Sequence, residues 1–442
     1  MDIDFTHLDQ TIPENMELVD QLVNQHRCQR PLQGVKALFI QHQLGNQYPL
    51  AKAMIALGLD PKDLYWLDIP YTSNAKVREA LFELKIPKRN FFINQYRVLD
   101  FYAPYQNQRM TRILHGFLQN PPDRLLVLDD GAYYLEAAVC FERQIPEVAI
   151  VEQTTRGLIK IEQNAAMHFA LASIPIINVA RSKPKKMLEP PFIGKAVCAA
   201  LMRKLKSRFE PGHRKRCLIL GYGAIGKQLA RFIEENLNFD IKKIHVFDPR
   251  FSPDSDELSR YQPWHRDDTE TLFDLVIGCS GRSSFEVGDY VYLKDGAVLA
   301  SASSGSVELS RRYFIELADN SDIDDIKIYR DNLDETNIHS DICIHFPGRD
   351  VTFINAGFPV NFDGRINCVP ARYIQPTMAM MAQAAIQAVN TTESGLIDLN
   401  NDFCTSLDQE FRKLLGEEAD ILPPPSMNNP EVVTTEQTFE PQ

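Results

Sequence analysis

The sequence predicts an α/β protein of two parallel-sheet units, the second inserted into the first, and three observations carry that expectation. Strand-like apolar runs alternate with helix-like runs from Val35 onward, a later apolar run (217–220) feeds straight into a set of glycines, and a proline-rich break lies between them. At 442 residues the chain exceeds one ordinary core, because a domain takes about 150 residues.

In the first unit the strand-like runs are 35–41, 63–68, 91–94 and 125–128, with helix-like runs at 48–57, 75–84 and 132–142. Strands separated by helices are joined by crossovers, so they pair in parallel. Residues 183–192, Lys-Pro-Lys-Lys-Met-Leu-Glu-Pro-Pro-Phe, interrupt the pattern with three prolines. Proline removes a backbone donor and clashes with a preceding turn, which puts a boundary near residue 192. Residues 193–205 then read as a helix leading into the second unit.

That unit opens on Gly221-Tyr222-Gly223-Ala224-Ile225-Gly226, spaced G-x-G-x-x-G, with a helix expected over 228–236. Gly221 allows a tight turn, Gly223 lets the backbone approach a pyrophosphate, and Gly226 lets helix and strand pack closely. The pyrophosphate would sit on N–H groups at Ala224 and Ile225, where the helix begins. A second run, 241–247, ends in Asp248-Pro249, and a carboxylate there can accept hydrogen bonds from an adenosine ribose. The gap from Gly221 to Asp248 exceeds the usual ~20 residues, which an added loop at 236–240 accounts for. Third and fourth runs, 274–281 and 297–302, end in small residues, among them Ser280 and Gly281, as expected beside a cofactor. The pattern describes a Rossmann-type unit; a glycine turn serving only helix–strand contact is the structural alternative.

Residues 350–361 and an alanine- and methionine-rich helical run at 378–389 follow, and are expected to return to the first unit. The resulting division is 1–192 for a substrate-side unit, 193–350 for the nucleotide unit, 351–422 for the return, and 423–442 for a proline-rich, polar tail expected to be disordered.

Net charge of −12 gives no footprint for nucleic acid, whose binding rests on clustered Lys and Arg. The basic residues between Arg203 and Arg216 read as a solvated helix face and linker. Eight cysteines lack C-x-x-C spacing, which argues against zinc and against a disulfide framework and fits a reducing cytoplasm. Residues 1–25 carry no secretory pattern, and no run approaches the ~20 apolar residues of a membrane span. A cytoplasmic protein with no membrane, metal or nucleic-acid partner is expected.

Asp129-Asp130-Gly131, Glu152-Gln153-Thr154-Thr155-Arg156-Gly157, Ile177-Asn178-Val179 and the glycine turn occur in an order that resembles the S-adenosylhomocysteine hydrolases (adenosylhomocysteinases), over about residues 35–387. The resemblance implies oxidation of a ribose 3′-hydroxyl by bound NAD, loss of an acidified C4′ proton, elimination of a thiol, addition of water and re-reduction. A ketone acidifies the neighbouring carbon, and a lysine of depressed pKa can act as base. The resemblance puts Asp130 on a catalytic aspartate, Lys185 on the base, His42 on a water-handling histidine and Glu189 near the lysine's acidic companion. Lys183 and Lys186 lie close enough to keep the choice of lysine open. Gln153 and Thr154 fall on substrate-binding positions, Thr155 and Asn361 on cofactor-binding ones. Homo-oligomerisation is implied by the same likeness.

Departures from the family pattern are specific. Gln153 stands where the family has a ribose-gripping glutamate, Arg156 where it has a third threonine, Ser304 where it has a histidine, and Cys368-Val369-Pro370 where it has glycine–histidine–proline. Val246 replaces the usual ribose-binding acid, and the tail lacks the family's lysine–tyrosine arm, so bound NAD is expected to exchange more freely. Structural alternatives stand beside each assignment: N-capping by Asp129 or Asp130, capping or lining of a turn by Thr154 or Thr155, a solvated or locally hydrogen-bonded loop position for His42, and a solvated loop position for Lys185. The readings are therefore a divergent NAD-dependent enzyme on a nucleoside or thioether substrate, a silent NAD-binding regulator or scaffold, and a dehydrogenase with exchangeable cofactor.

Overall fold

The computed structural model describes residues 5, 8–92, 94–205, 215–237, 239–251, 260–303, 305, 307–320, 326–331 and 333–424. The expected disorder of the tail falls almost wholly outside these, at 425–442, as does Ser304.

Six strands open the first sheet: β1 Lys36–Gln41, β2 Leu64–Asp68, β3 Phe91–Phe92, β4 Arg124–Asp129, β5 Glu147–Glu152 and β6 Pro175–Asn178. All pair in parallel. In β1 and β4 every residue but the first is buried, as continuous apolar runs require when helices cover both faces. The helix Tyr102–Gln119 lies on one face, its Met110, Ile113, Leu114 and Phe117 joining the core with Leu38 and Val127. On the other face the helix Ala371–Asn390 packs across β4, β5 and β6. The chain passes from β1 to β2 and β3 on one side, then returns to put β4, β5 and β6 on the other, so the direction of winding reverses between β1 and β4.

The second sheet contains β7 Cys217–Leu220, β8 Ile244–Phe247, β9 Gln262–Pro263, β10 Phe273–Gly278, β11 Leu293–Ser301, β12 Lys327–Ile328, β13 Ile342–Phe346 and β14 Arg349–Phe353. Its order is β12-β13-β14-β11-β10-β7-β8-β9, so winding reverses between β7 and β10. β13 runs antiparallel to both neighbours, giving a mixed edge that the crossover pattern did not anticipate.

The last strand, β15 Gly395–Asp398, returns to pair in parallel with β6 and completes seven strands in the first sheet. β14 spans residue 350, where the sequence pattern put a boundary, and pairs with β11. The helix Pro190–Leu205 likewise crosses the boundary at 192 and packs against Ala224–Asn236, because its first-turn prolines need no donated N–H. Among the described residues no helix is long and apolar enough to cross a membrane.

Candidate active site

The two reversal points face one cavity of about 700 Å³. In open α/β sheets, ligands bind beyond the carboxyl ends of strands where winding reverses. His42 follows β1 and Asp130 follows β4, on the two sides of the first reversal; the glycine turn follows β7 and Ser280–Gly281 follows β10, on the two sides of the second.

On the first-sheet side, His42 is 8% exposed, which removes the solvated-loop reading. Its Nδ1 lies 2.8 Å from Thr72 Oγ1, whose own hydroxyl donates to the Ile69 carbonyl at 3.1 Å. Thr72 thereby accepts from Nδ1–H, and Nε2 faces Asp130 Oδ2 at 3.2 Å, a contact that binds the two when Nε2 carries a proton as well. The imidazole also stacks on Phe362 at 4.8 Å between ring centroids, which fixes its plane. Burial pushes the Asp130 carboxyl up, but His42, Arg156 and the Gln153 amide outweigh it and hold the carboxyl below its ordinary range. Gln153 Nε2 donates to the same Oδ2. That leaves Asp130 Oδ1 and Gln153 Oε1 buried without a partner, two acceptors in one lining.

The two adjacent aspartates divide the roles proposed for them. Asp129 takes the N–H groups of Tyr133 and Tyr134 at 3.1 and 2.8 Å, so it opens the following helix, while Asp130 turns to the cavity. Thr154 caps the helix Thr155–Gln163 through the Gly157 N–H at 2.9 Å and lines the cavity as well. Beneath both loops lies Glu152, a residue the sequence reading passed over. Its carboxylate accepts from the N–H groups of Gly131, Ala132 and Thr154 and from the Thr154 hydroxyl. An acid at a buried strand end signals such a latch.

Lys185 pairs with Glu189 one helical turn on, and Thr377 donates to the same carboxylate oxygen. All three line the cavity, and Lys186 does too, whereas Lys183 does not appear in the lining.

On the second-sheet side Gly223, Ala224, Ile225, Ser280, Gly281 and Asn361 line the cavity, with Thr155 across from them. The turn fits a dinucleotide phosphate. Gly221 has φ +102° and a Cβ there would stand 2.8 Å from Ser280, while a Cβ on Gly226 would stand 2.1 Å from the Gly221 carbonyl oxygen. Gly223 begins the helix Ala224–Asn236 with no side-chain cap, so that helix presents bare N–H groups to the cavity. Glu308, buried under the loop after β10, accepts from the Gly281 N–H and from Ser280 and Ser284, shaping the second wall.

Asp248 is not brought into the lining. Its carboxylate takes the Tyr222 N–H at 2.7 Å and is clasped by Arg250 through Nε at 2.9 Å and Nη2 at 2.6 Å. Burial raises its carboxyl, but Arg250 and the two N–H groups hold it below its usual range. Arg250 takes its place in the lining.

No family model matches the chain. An uncharacterized protein of Mycobacterium tuberculosis (strain H37Rv) is 27% identical over 369 residues, 81% of this chain and 65% of that protein. The chain therefore spans about two thirds of the length of its mycobacterial relatives. The S-inosyl-L-homocysteine hydrolase of Methanopyrus kandleri is 25% identical over 207 residues, 45% of this chain and 46% of that enzyme. Among solved structures, dipicolinate synthase A chain from Bacillus subtilis superposes with a TM-score of 0.31 at 11% identity, over 64% of this chain and 84% of that one.

Proposed function

We propose that the protein binds an NAD-type dinucleotide at the glycine turn and a nucleoside thioether beside Asp130, and that it acts on that substrate by oxidation, elimination or hydrolysis, and re-reduction. The observation that carries this reading is the meeting of two winding reversals on one cavity, one edged by His42 and Asp130, the other by a turn that fits a pyrophosphate. The likeness to a hydrolase of a nucleosyl homocysteine supports the substrate class.

The dinucleotide would be held by Gly223, Ala224, Ile225, Ser280, Gly281 and Asn361, and it would supply hydride acceptance and return. The chain's own residues do the rest. The free oxygens of Asp130 and Gln153 accept two hydroxyl hydrogens, as a ribose diol presents them. Asp130 takes the proton of the reacting hydroxyl, and His42 shares its charge through Nε2. Lys185, held by Glu189, to which Thr377 also donates, would serve as the base for carbon acid chemistry once its ammonium proton has passed to that carboxylate, and Gln153 binds without adding a second charge beside Asp130.

The reading is tested by mass spectrometry of whatever small molecule denatured protein releases, paired with calorimetric titration of adenosine, inosine and their homocysteine thioethers. Bound dinucleotide together with nucleoside binding that Lys185→Ala leaves intact, while turnover is lost, is the expected result. A protein that binds neither sinks the enzyme reading and leaves a scaffold.

A further inference from the structure

Next to the first cavity is a second, of about 500 Å³, that the proposed chemistry does not use. One wall is a single face of the helix Thr155–Gln163, where Arg156, Ile159, Lys160 and Gln163 recur at helical spacing. The other is made by Arg282 and Ser283 in the loop after β10 and by Arg311 and Arg312 at the start of the helix Arg311–Asp319. Among the described residues five cations and no carboxylate line it, in a chain whose net charge is −12.

The partners of these cations leave charge to spare. Lys160 pairs with Glu136 at 2.8 Å and Arg312 with Glu316 at 2.9 Å. Nearby Glu286 is engaged by the hydroxyls of Ser283 and Ser310, at 2.6 and 2.9 Å. Arg311, 3% exposed, spends Nη1 on the Tyr96 hydroxyl and the Asp100 carbonyl, and its Nε and Nη2 have no partner. Arg156 reaches the Tyr133 hydroxyl at 3.1 Å and keeps an unpartnered, buried Nε. Among the described residues no carboxylate is ion-paired with Arg156, Arg282 or Arg311. Like charges gathered in one cleft repel one another unless an anion joins them.

We propose that this cavity binds the phosphoryl group of a phosphorylated small molecule and thereby ties the two units together. Cations converge on it from three chain segments. That arrangement suits a tetrahedral group with oxygens pointing in several directions better than a planar carboxylate, which one guanidinium grips from the side. The N-terminal end of the helix Arg311–Asp319 adds its dipole to the same spot. Arg156 and Gly281 line both cavities, so a ligand in the second alters walls of the first, and the two binding events are coupled. The proposal is independent of which dinucleotide or substrate the first cavity takes.

The test is calorimetric titration of inorganic pyrophosphate into the full chain. At least one saturable site is expected that Arg282→Glu weakens by about tenfold or more, and Arg312→Gln weakens further, while Gly223→Asp leaves it in place. Both arginines are exposed, and circular dichroism confirms that the variants fold. A second site lost only in Gly223→Asp would be the glycine turn and is compatible with the proposal. Absence of saturable binding overturns it, as does binding indifferent to Arg282→Glu.

Discussion

His42 Nε2 and Asp130 Oδ2 meet at 3.2 Å across the line where the first sheet reverses its winding. Neither residue is near the other in sequence, yet β1 and β4 pair directly and deliver both at the same end of the sheet. The contact holds Oδ2 against the imidazole, and Gln153 on the same oxygen leaves Oδ1 buried without a partner.

Asp130→Asn keeps the shape but removes the carboxylate charge and the proton acceptor. General acid–base groups contribute about 10²–10⁴-fold, so turnover of the nucleoside thioether should fall by that factor. Dinucleotide binding should stay unchanged, since the glycine turn is built from the other sheet. Equal loss of both would mean that Asp130 maintains the fold rather than the chemistry. Steady-state rates with parallel cofactor titration decide it.

Two glycines of one turn should fail in opposite ways. A Cβ at Gly226 would stand 2.1 Å from the Gly221 carbonyl oxygen, whereas at Gly223 the nearest atom is Arg250 Nη2 at 3.6 Å. Gly226→Ala should therefore cost about 1–3 kcal/mol of stability through overpacking. Gly223→Ala should melt within about 0.5 kcal/mol of the parent yet bind dinucleotide at least about tenfold more weakly, because its methyl group stands where the backbone must approach the phosphates. Chemical denaturation and cofactor titration of the two variants would expose a wrong assignment if they behaved alike.

Much of this was legible in local sequence. Strands β2, β4, β7 and β10 follow from apolar runs that end in small or acidic residues, β1 from an apolar run that ends in Gln41, and the turn from the glycine spacing. What escaped the sequence depends on distant pairing or on polar residues in buried places. β15 is joined to β6 across more than 200 residues of chain, by β-ladder bonds that no local period records. The helix Tyr102–Gln119 hides because Gln106 and Arg109 interrupt its apolar stripe; both are buried, and both reach Asp68. Asp129 and Asp130 are equivalent as letters; the resemblance singled out Asp130, and the positions of the Tyr133 and Tyr134 N–H groups give the physical reason that Asp129 is the cap. Asp248 was sought for its carboxylate, but Arg250, two residues on, consumes it.

Stability should decline as pH rises through neutrality. Burial, then Asp129, pushes the Glu152 carboxyl up to about 8 from 4.5, and burial pushes Asp129 up to about 6 from 3.8. A folded-state pKa above the unfolded one means the native protein binds the extra proton. That contribution is complete below the unfolded values and is lost as pH climbs through about 6 and 8. Asp130, held low, works the other way: its contribution is present above 3.8 and is lost as pH falls through its lowered value. Melting temperature should therefore drop between pH 5 and pH 8.5. Glu152→Gln should melt lower throughout, having lost an acceptor for its donors, but with a flatter slope. Parallel slopes would show that Glu152 does not carry the titration.

The clasp between Arg250 and Asp248 bears on which dinucleotide is preferred. A free carboxylate after the second strand of such a unit accepts ribose hydroxyls and repels a 2′-phosphate; an arginine there attracts one. In this chain the carboxylate is withdrawn to the Tyr222 N–H, and the arginine lines the cavity, exposed and beside Gly223. The protein should therefore discriminate weakly between NAD and NADP. Arg250→Ala removes the guanidinium and frees Asp248, so NADP affinity should drop by about tenfold or more while NAD affinity holds or rises. Direct titration of both dinucleotides into parent and variant reads this, and a parent that binds NAD and rejects NADP outright would mean that Asp248 leaves its clasp when the cofactor arrives.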